Sequence, residues 1–237
     1  MEFFREEGYT PSTKILIFDR KQLTALLICT LLSAGALYYA SKADKFSALC
    51  LLRVLSSVNL AFILLRLSNY IFILKNFHAD YSLPLHLCSF NVLLCFAAAW
   101  SLRPFLLDFV YAISPVAAAF ALICPESDAA RYPRFNFRCL EYYYSHTCLI
   151  LTPLIPVLFL DFTPSLAYFP ACMALLGGML LLAGGVNALT GGNYMFLSYG
   201  PSGTPLSFLE KKLGKLLYRG ILIALFVCLY LLMHLFA

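Results

Sequence analysis

Three stretches of the chain carry residues able to do covalent chemistry. LPLHLCSFN (Leu83–Asn91) sets the thiol of Cys88 beside His86 and Asn91, EYYYSHT (Glu141–Thr147) carries His146, and NALTGGNYMFLSYGPSGTP (Asn187–Pro205) gathers amides, hydroxyls and glycines. A thiol beside an imidazole is a nucleophile with its base. His86 suits that role poorly, because residues two apart on a helix point to different faces, so His146 on another helix is the candidate base. Pro84 fits the first turn of a helix opening near Leu83, which puts Cys88 about one turn in, where the positive end of the helix dipole favours a thiolate. Asn187, Asn193 and Tyr194 supply polar groups, and Gly191 with Gly192 interrupts a helix so that backbone can approach a ligand closely. Tyr142, Tyr143 and Tyr144 read as an interfacial aromatic belt.

The elements that must position these residues are membrane spans. Of 237 residues, 62% are hydrophobic and 12% charged, and the mean hydropathy is +0.82; soluble domains average roughly 45–50% apolar and about 25% charged. A hydrocarbon core about 30 Å thick takes roughly 20 helical residues to cross. Seven runs of about that length occur, near 23–39, 46–74, 83–100, 105–124, 139–160, 166–189 and 216–237. They are continuous rather than alternating, which excludes barrel strands and predicts an all-α, seven-transmembrane-helix bundle filling residues 1–237 as one domain. The first 21 residues carry Glu2, Glu6, Glu7 and Asp19, so no cleavable signal is expected there.

Charge sets the expected orientation. Arg5, Lys14, Arg20, Lys21, Lys75, Arg131, Arg134, Arg138, Lys211, Lys212, Lys215 and Arg219 fall on one side, against Lys42, Lys45 and Arg103 on the other. Cytoplasmic loops retain lysine and arginine, so the amino terminus is expected in the cytoplasm and the carboxyl terminus outside. The third and fifth helices then begin, and the sixth ends, on the cytoplasmic side. All three chemical stretches converge there, joined by Arg66 and Asn69 from the end of the second helix. Arg66 would bind a lipid phosphate or snorkel to the interface. PLSFLEKKLGKLLYR (Pro205–Arg219) spaces its leucines helically among basic residues, as an interfacial helix over 205–215 or as the charged end of the seventh span.

The net charge of +5 suits basic loops against anionic lipid and not a dense nucleic-acid-binding face. Nine cysteines lie mostly inside the spans, which argues against a disulfide framework. Buried thiols commonly serve as small apolar side chains, so only its setting singles out Cys88.

LPLHLC, YYYSH at Tyr142–His146 and GGNYMFLSYGP at Gly191–Pro201, in that order, resemble the YwaF-like integral membrane proteins, which include the transmembrane protein 164 family; ICPESD (Ile123–Asp128) is similar to a proline–acid turn of the same family. A more distant similarity is to the androgen-induced lipid hydrolases, whose nucleophile is a threonine. The resemblance implies an intramembrane phospholipid acyltransferase with Cys88 as nucleophile and His146 as its partner. It implies phospholipids and lysophospholipids as partners; no cofactor and no resident metal are expected, and the charge count sets the site near the cytoplasmic leaflet. His86, Asn91, Arg66, Asn187, Asn193 and Tyr194 would support it, with Asn193 or Tyr194 as candidate oxyanion donors.

Other readings use the same residues. A lipid-ester hydrolase would hand the acyl group to water. A metal-dependent hydrolase would take His86, Cys88 and His146 as ligands. A transporter or receptor would use the intramembrane charges Arg53 and Asp108. A retinal pump is excluded because the last span lacks a lysine, and a proline–glutamine sugar transporter because Gln22 is the only glutamine.

Overall fold

The computed structural model describes residues 2–4, 18–123, 132–133, 135–200 and 205–235. Arg5, Lys14, Arg131, Arg134, Pro201, the ICPESD residues after Ile123 and the last two residues lie outside that set. Among the described residues the chain is all-helical, with seven long helices: α1 Arg20–Lys42, α2 Lys45–Ser68, α3 Leu87–Ser101, α4 Pro104–Ile123, α5 Phe137–Phe159, α6 Phe169–Thr190 and α7 Pro205–His234. Three open on acid or amide caps that satisfy first-turn amides: Asp19 accepts from the Gln22 amide at 2.7 Å, Asp44 from Ser47 at 2.9 Å and Asn136 from Arg138 at 2.9 Å.

Among the described residues, five helical stretches are long and apolar enough to cross a membrane: Arg20–Lys42, Lys45–Ile73, Pro104–Ile123, Leu166–Thr190 and Leu206–His234. The other two of the seven expected spans fall short for different reasons. Helix α3 has 15 residues, about 22 Å of rise. Helix α5 is long enough but begins with Arg138, Glu141, Ser145, His146 and Thr147. Outward-facing leucines such as Leu31, Leu32, Leu181, Leu189 and Leu216 are exposed, an apolar exterior that lipid rather than water would solvate.

Three boundaries differ from expectation. Helix α3 starts at Leu87, with His86 as its N-cap, so Pro84 precedes the helix and Cys88 is its second residue. Helix α2 does not run straight to Leu74; it ends at Ser68 and continues as one π-helical turn over Asn69–Ile73. Helix α7 opens at Pro205 but leaves helical geometry at Gly214 (φ 77°, ψ 164°), a conformation that glycine alone adopts cheaply.

The centre of the bundle is α4 against α5, and α5 also touches α1, α2 and α3. Phe109, Ala112, Ile113, Ala118 and Ile155 are fully enclosed there. Helix α1 is peripheral, burying only Gln22 and Ala40. Gln22 is nonetheless specific: its amide donates to the Leu122 and Ile123 carbonyls, both at 2.9 Å, capping the end of α4.

Candidate functional site

The end of α2 and the starts of α3 and α5 meet at one depth, and a single guanidinium ties them. Arg66 donates through Nη1 to Glu141 Oε1 of α5 at 2.7 Å and through Nη2 to Ser89 Oγ of α3 at 3.3 Å. Ser89 follows Cys88, and Glu141 precedes His146 by little more than one turn. Arg138 donates to the second Glu141 oxygen, also at 2.7 Å, and its guanidinium lies over the Tyr70 ring at 5.9 Å. Two arginines thus share one carboxylate, whose side chain is only 4% exposed. Deeper in, Ser145 donates to the Asn59 side-chain oxygen at 2.5 Å, a second tie between α2 and α5.

Cys88 is half-buried and not in a disulfide. It sits in the first turn of α3, at the positive end of the helix dipole. His146 is buried; its Nδ1 lies 2.7 Å from the Tyr142 carbonyl, and its ring packs on Tyr142 with centroids 4.3 Å apart. A carbonyl can only accept, so Nδ1 carries the proton and Nε2 keeps a lone pair. Glu141 and Arg66 lie within electrostatic reach of the ring. Asn91 shares the Cys88 face of α3, three residues on. It is fully buried, and neither polar atom of its amide has a hydrogen-bond partner among the described residues. The same holds for Asn69, which opens the π-helical turn three residues beyond Arg66.

The third chemical stretch forms a clamp rather than a donor set. Asn187 and Tyr194 bond reciprocally, side-chain amide to carbonyl at 3.0 Å and backbone amide to side-chain oxygen at 2.7 Å. The Tyr194 hydroxyl accepts from the Leu83 amide at 2.9 Å and donates to the Ala79 carbonyl at 3.0 Å. Burial pushes its phenol up, which keeps it neutral and able to donate. Asn193 spends its amide on Ser198 and Tyr199 of its own loop. Gly191 is the left-handed C-cap of α6. Gly192 approaches the Asp80 backbone, where an added methyl would sit 2.5 Å from the carbonyl oxygen, so its close approach is to protein, while nothing lies within 4 Å of the corresponding position on Gly191. His86 packs against Tyr194 and Phe196, centroids 5.2 and 5.4 Å away. The clamp therefore fixes the chain that leads into Cys88.

A family model described as the TMEM164 family matches residues 17–233, which include all three stretches. The chain belongs to the TMEM164 family. No curated protein and no solved structure matches it. It is a multi-pass integral membrane protein, as its apolar helices and TMEM164 membership both indicate.

Within this TMEM164-family chain, sequence reading had not singled out several residues. Glu141 opens EYYYSHT, and a carboxylate in a membrane helix is itself the signal to seek its arginine. Asp108 was read only as a transport charge. It is fully buried and accepts from the Ser165 amide at 2.9 Å, His234 Nε2 at 3.0 Å, the Cys172 thiol at 3.8 Å and the Tyr230 hydroxyl. Arg53 lies over the Trp100 ring at 5.0 Å. Tyr142, Tyr143 and Tyr144 do not form an outward belt: Tyr142 donates to the Ala121 carbonyl at 2.5 Å, Tyr143 is buried, and Tyr144 packs on Phe62. Among the described residues no three His, Cys, Asp or Glu side chains converge as metal ligands.

Proposed function

We propose that the protein is an intramembrane phospholipid acyltransferase in which Cys88 is the nucleophile and His146 its base. The observation that carries the reading is the Arg66 bridge, which holds Ser89 and Glu141, and with them the helix starts bearing Cys88 and His146, at one depth. His146 Nε2 takes the thiol proton, and the Cys88 thiolate attacks the ester carbonyl carbon of a phospholipid. The ester C–O bond breaks, a lysophospholipid leaves with the proton from His146, and a thioester remains. An acceptor lipid hydroxyl then gives its proton to His146 and attacks the thioester. The new ester forms, and the Cys88 sulfur leaves and recovers the proton.

The amide of Asn91, one turn from Cys88 and unpaired among the described residues, is the side-chain donor that best suits the oxyanion, since Asn193 is occupied by its own loop and the Tyr194 hydroxyl by Leu83 and Ala79. A site set in an apolar bundle favours a lipid alcohol over water as acceptor. The same reading takes α3 and α5 as spans that complete seven crossings, with the amino terminus cytoplasmic on the charge asymmetry. A tag at the carboxyl terminus should then be digested by protease added outside intact cells; a protected tag reverses the orientation.

The decisive experiment is intact-protein mass spectrometry after incubation with phospholipid, wild type beside Cys88→Ala. A hydroxylamine-sensitive fatty-acyl adduct in wild type alone is the expected result. An adduct retained by Cys88→Ala removes Cys88 from the mechanism, and free fatty acid without any acylated acceptor turns the reading to hydrolysis.

A further inference from the structure

The start of α7 has a surface that the acyl-transfer reading does not use. Leu206 and Leu209 face the main core. Gly214 then breaks helical geometry, so this segment meets the spanning part of α7 at an angle, just before Leu216, which is 87% exposed. On the outer side, Phe208, Lys211 and Lys212 are spaced i, i+3 and i+4 and share one face. All three are exposed, as is Lys215 beyond the break. Lys212 Nζ lies 5.7 Å from the Phe208 ring centroid, and none of the three lysines has an ion-pair partner among the described residues. A buried aromatic core would not carry three unpaired ammonium groups around it, and a water-facing helix end gains nothing from an exposed phenylalanine amid them. An apolar ring among cations suits a bilayer interface, where the ring enters the acyl boundary and the ammonium groups meet phosphates.

We propose that residues 206–215 form an interfacial arm that recruits anionic phospholipid headgroups from the surrounding bilayer, through Lys211, Lys212 and Lys215 around an inserted Phe208. The arm is anchored at its base, because Tyr218 donates to the Phe196 carbonyl at 3.0 Å and Arg219 to the Leu197 carbonyl at 2.8 Å. It is therefore held at the membrane face that carries the Arg66–Glu141 bridge. The proposal does not depend on Cys88 chemistry.

Its test uses the full chain in lipid nanodiscs, with Phe208→Trp as reporter and Trp100→Phe to remove the single native tryptophan. Zwitterionic and anionic phospholipids are mixed at a fixed ratio, and bromine is placed on the acyl chains of one or the other in turn. Each lysine near an anionic surface favours it by about fivefold, so bromine on the anionic lipid should quench the reporter several-fold more per mole than bromine on the zwitterionic one. Added salt should shrink that preference. Replacing all three lysines (Lys211→Glu, Lys212→Glu, Lys215→Glu) should abolish the preference while leaving quenching itself. Because these side chains are exposed, the variant's fold is checked independently by an unchanged thermal midpoint. Equal quenching by the two lipids in the lysine-bearing protein, no quenching by either, or a preference that survives in a folded charge-reversed variant would each overturn the proposal.

Discussion

Each end of the α3–α4 hairpin has a buried carboxylate and a histidine, and the two clusters treat them differently. Near the start of α4, Asp108 is saturated: a backbone amide, a thiol, a phenol and His234 all donate to it. His234 also places Nδ1 2.8 Å from the Tyr230 carbonyl, so both of its ring nitrogens are engaged. At the start of α3, the carboxylate holds two arginines instead, the histidine keeps one nitrogen uncommitted, and a neighbouring asparagine is left unpaired. A cluster that satisfies every polar atom fastens helices together. One that leaves donors and lone pairs unmatched within a packed bundle gives up stability, and such concessions gather where a ligand completes the set.

The largest expected effect separates the two histidines. His146→Ala should slow acylation of Cys88 by about 10²–10⁴-fold per folded molecule, the usual worth of a positioned base. His234→Ala should lower the thermal midpoint but leave the acylation rate per folded molecule intact. Asp108→Ala extends the second arm. Removing one partner of a buried charged cluster costs about 3–5 kcal/mol, read as a lower midpoint in detergent. If His234→Ala slows acylation as much as His146→Ala does, the clusters have been assigned the wrong way round.

Asn91 sharpens the contrast. An unpaired buried amide is a liability that leucine of similar size would remove, so Asn91→Leu should hold or raise the thermal midpoint. Losing an oxyanion donor should cost about 10²–10³ in acylation rate. A variant that is more stable and equally active would leave Asn91 with no catalytic part.

Much of this arrangement is legible in the sequence, because polar groups are costly in a membrane span and each one it carries therefore stands out. The apolar runs place the helices, and the polar islands at Cys88, His146 and Asn187 mark the end at which they meet. Which backbone groups a loop side chain will meet is not written in the spacing of a loop, which is why Asn193 and Tyr194 read as donors to a ligand when Asn193 bonds Ser198 and Tyr199 and Tyr194 bonds Leu83 and Ala79. Helix α3 starts at Leu87 and not near Leu83 for a local reason. Pro84 permits a helix to begin, but the Leu83 amide is taken by the Tyr194 hydroxyl and the Leu85 amide by the Leu83 carbonyl at 2.9 Å, so helical bonding begins only from His86. Asp108 and His234 are 126 residues apart, a separation across which no local pattern operates.

The clamp supplies the smallest expected effect. Tyr194→Phe removes the hydroxyl that receives the Leu83 amide and reaches the Ala79 carbonyl, while keeping the ring that packs on His86. An amide left without its partner costs about 1–3 kcal/mol when buried. Leu83 is only part-buried, so the lower part of that range applies. The loss should appear as faster hydrogen exchange across residues 79–86 and a modest fall in the rate of Cys88 acylation, with exchange around Asp108 unchanged. Faster exchange spread evenly over both ends of the bundle would mean that the clamp supports the whole fold, and that the approach to Cys88 is not held separately from the saturated cluster.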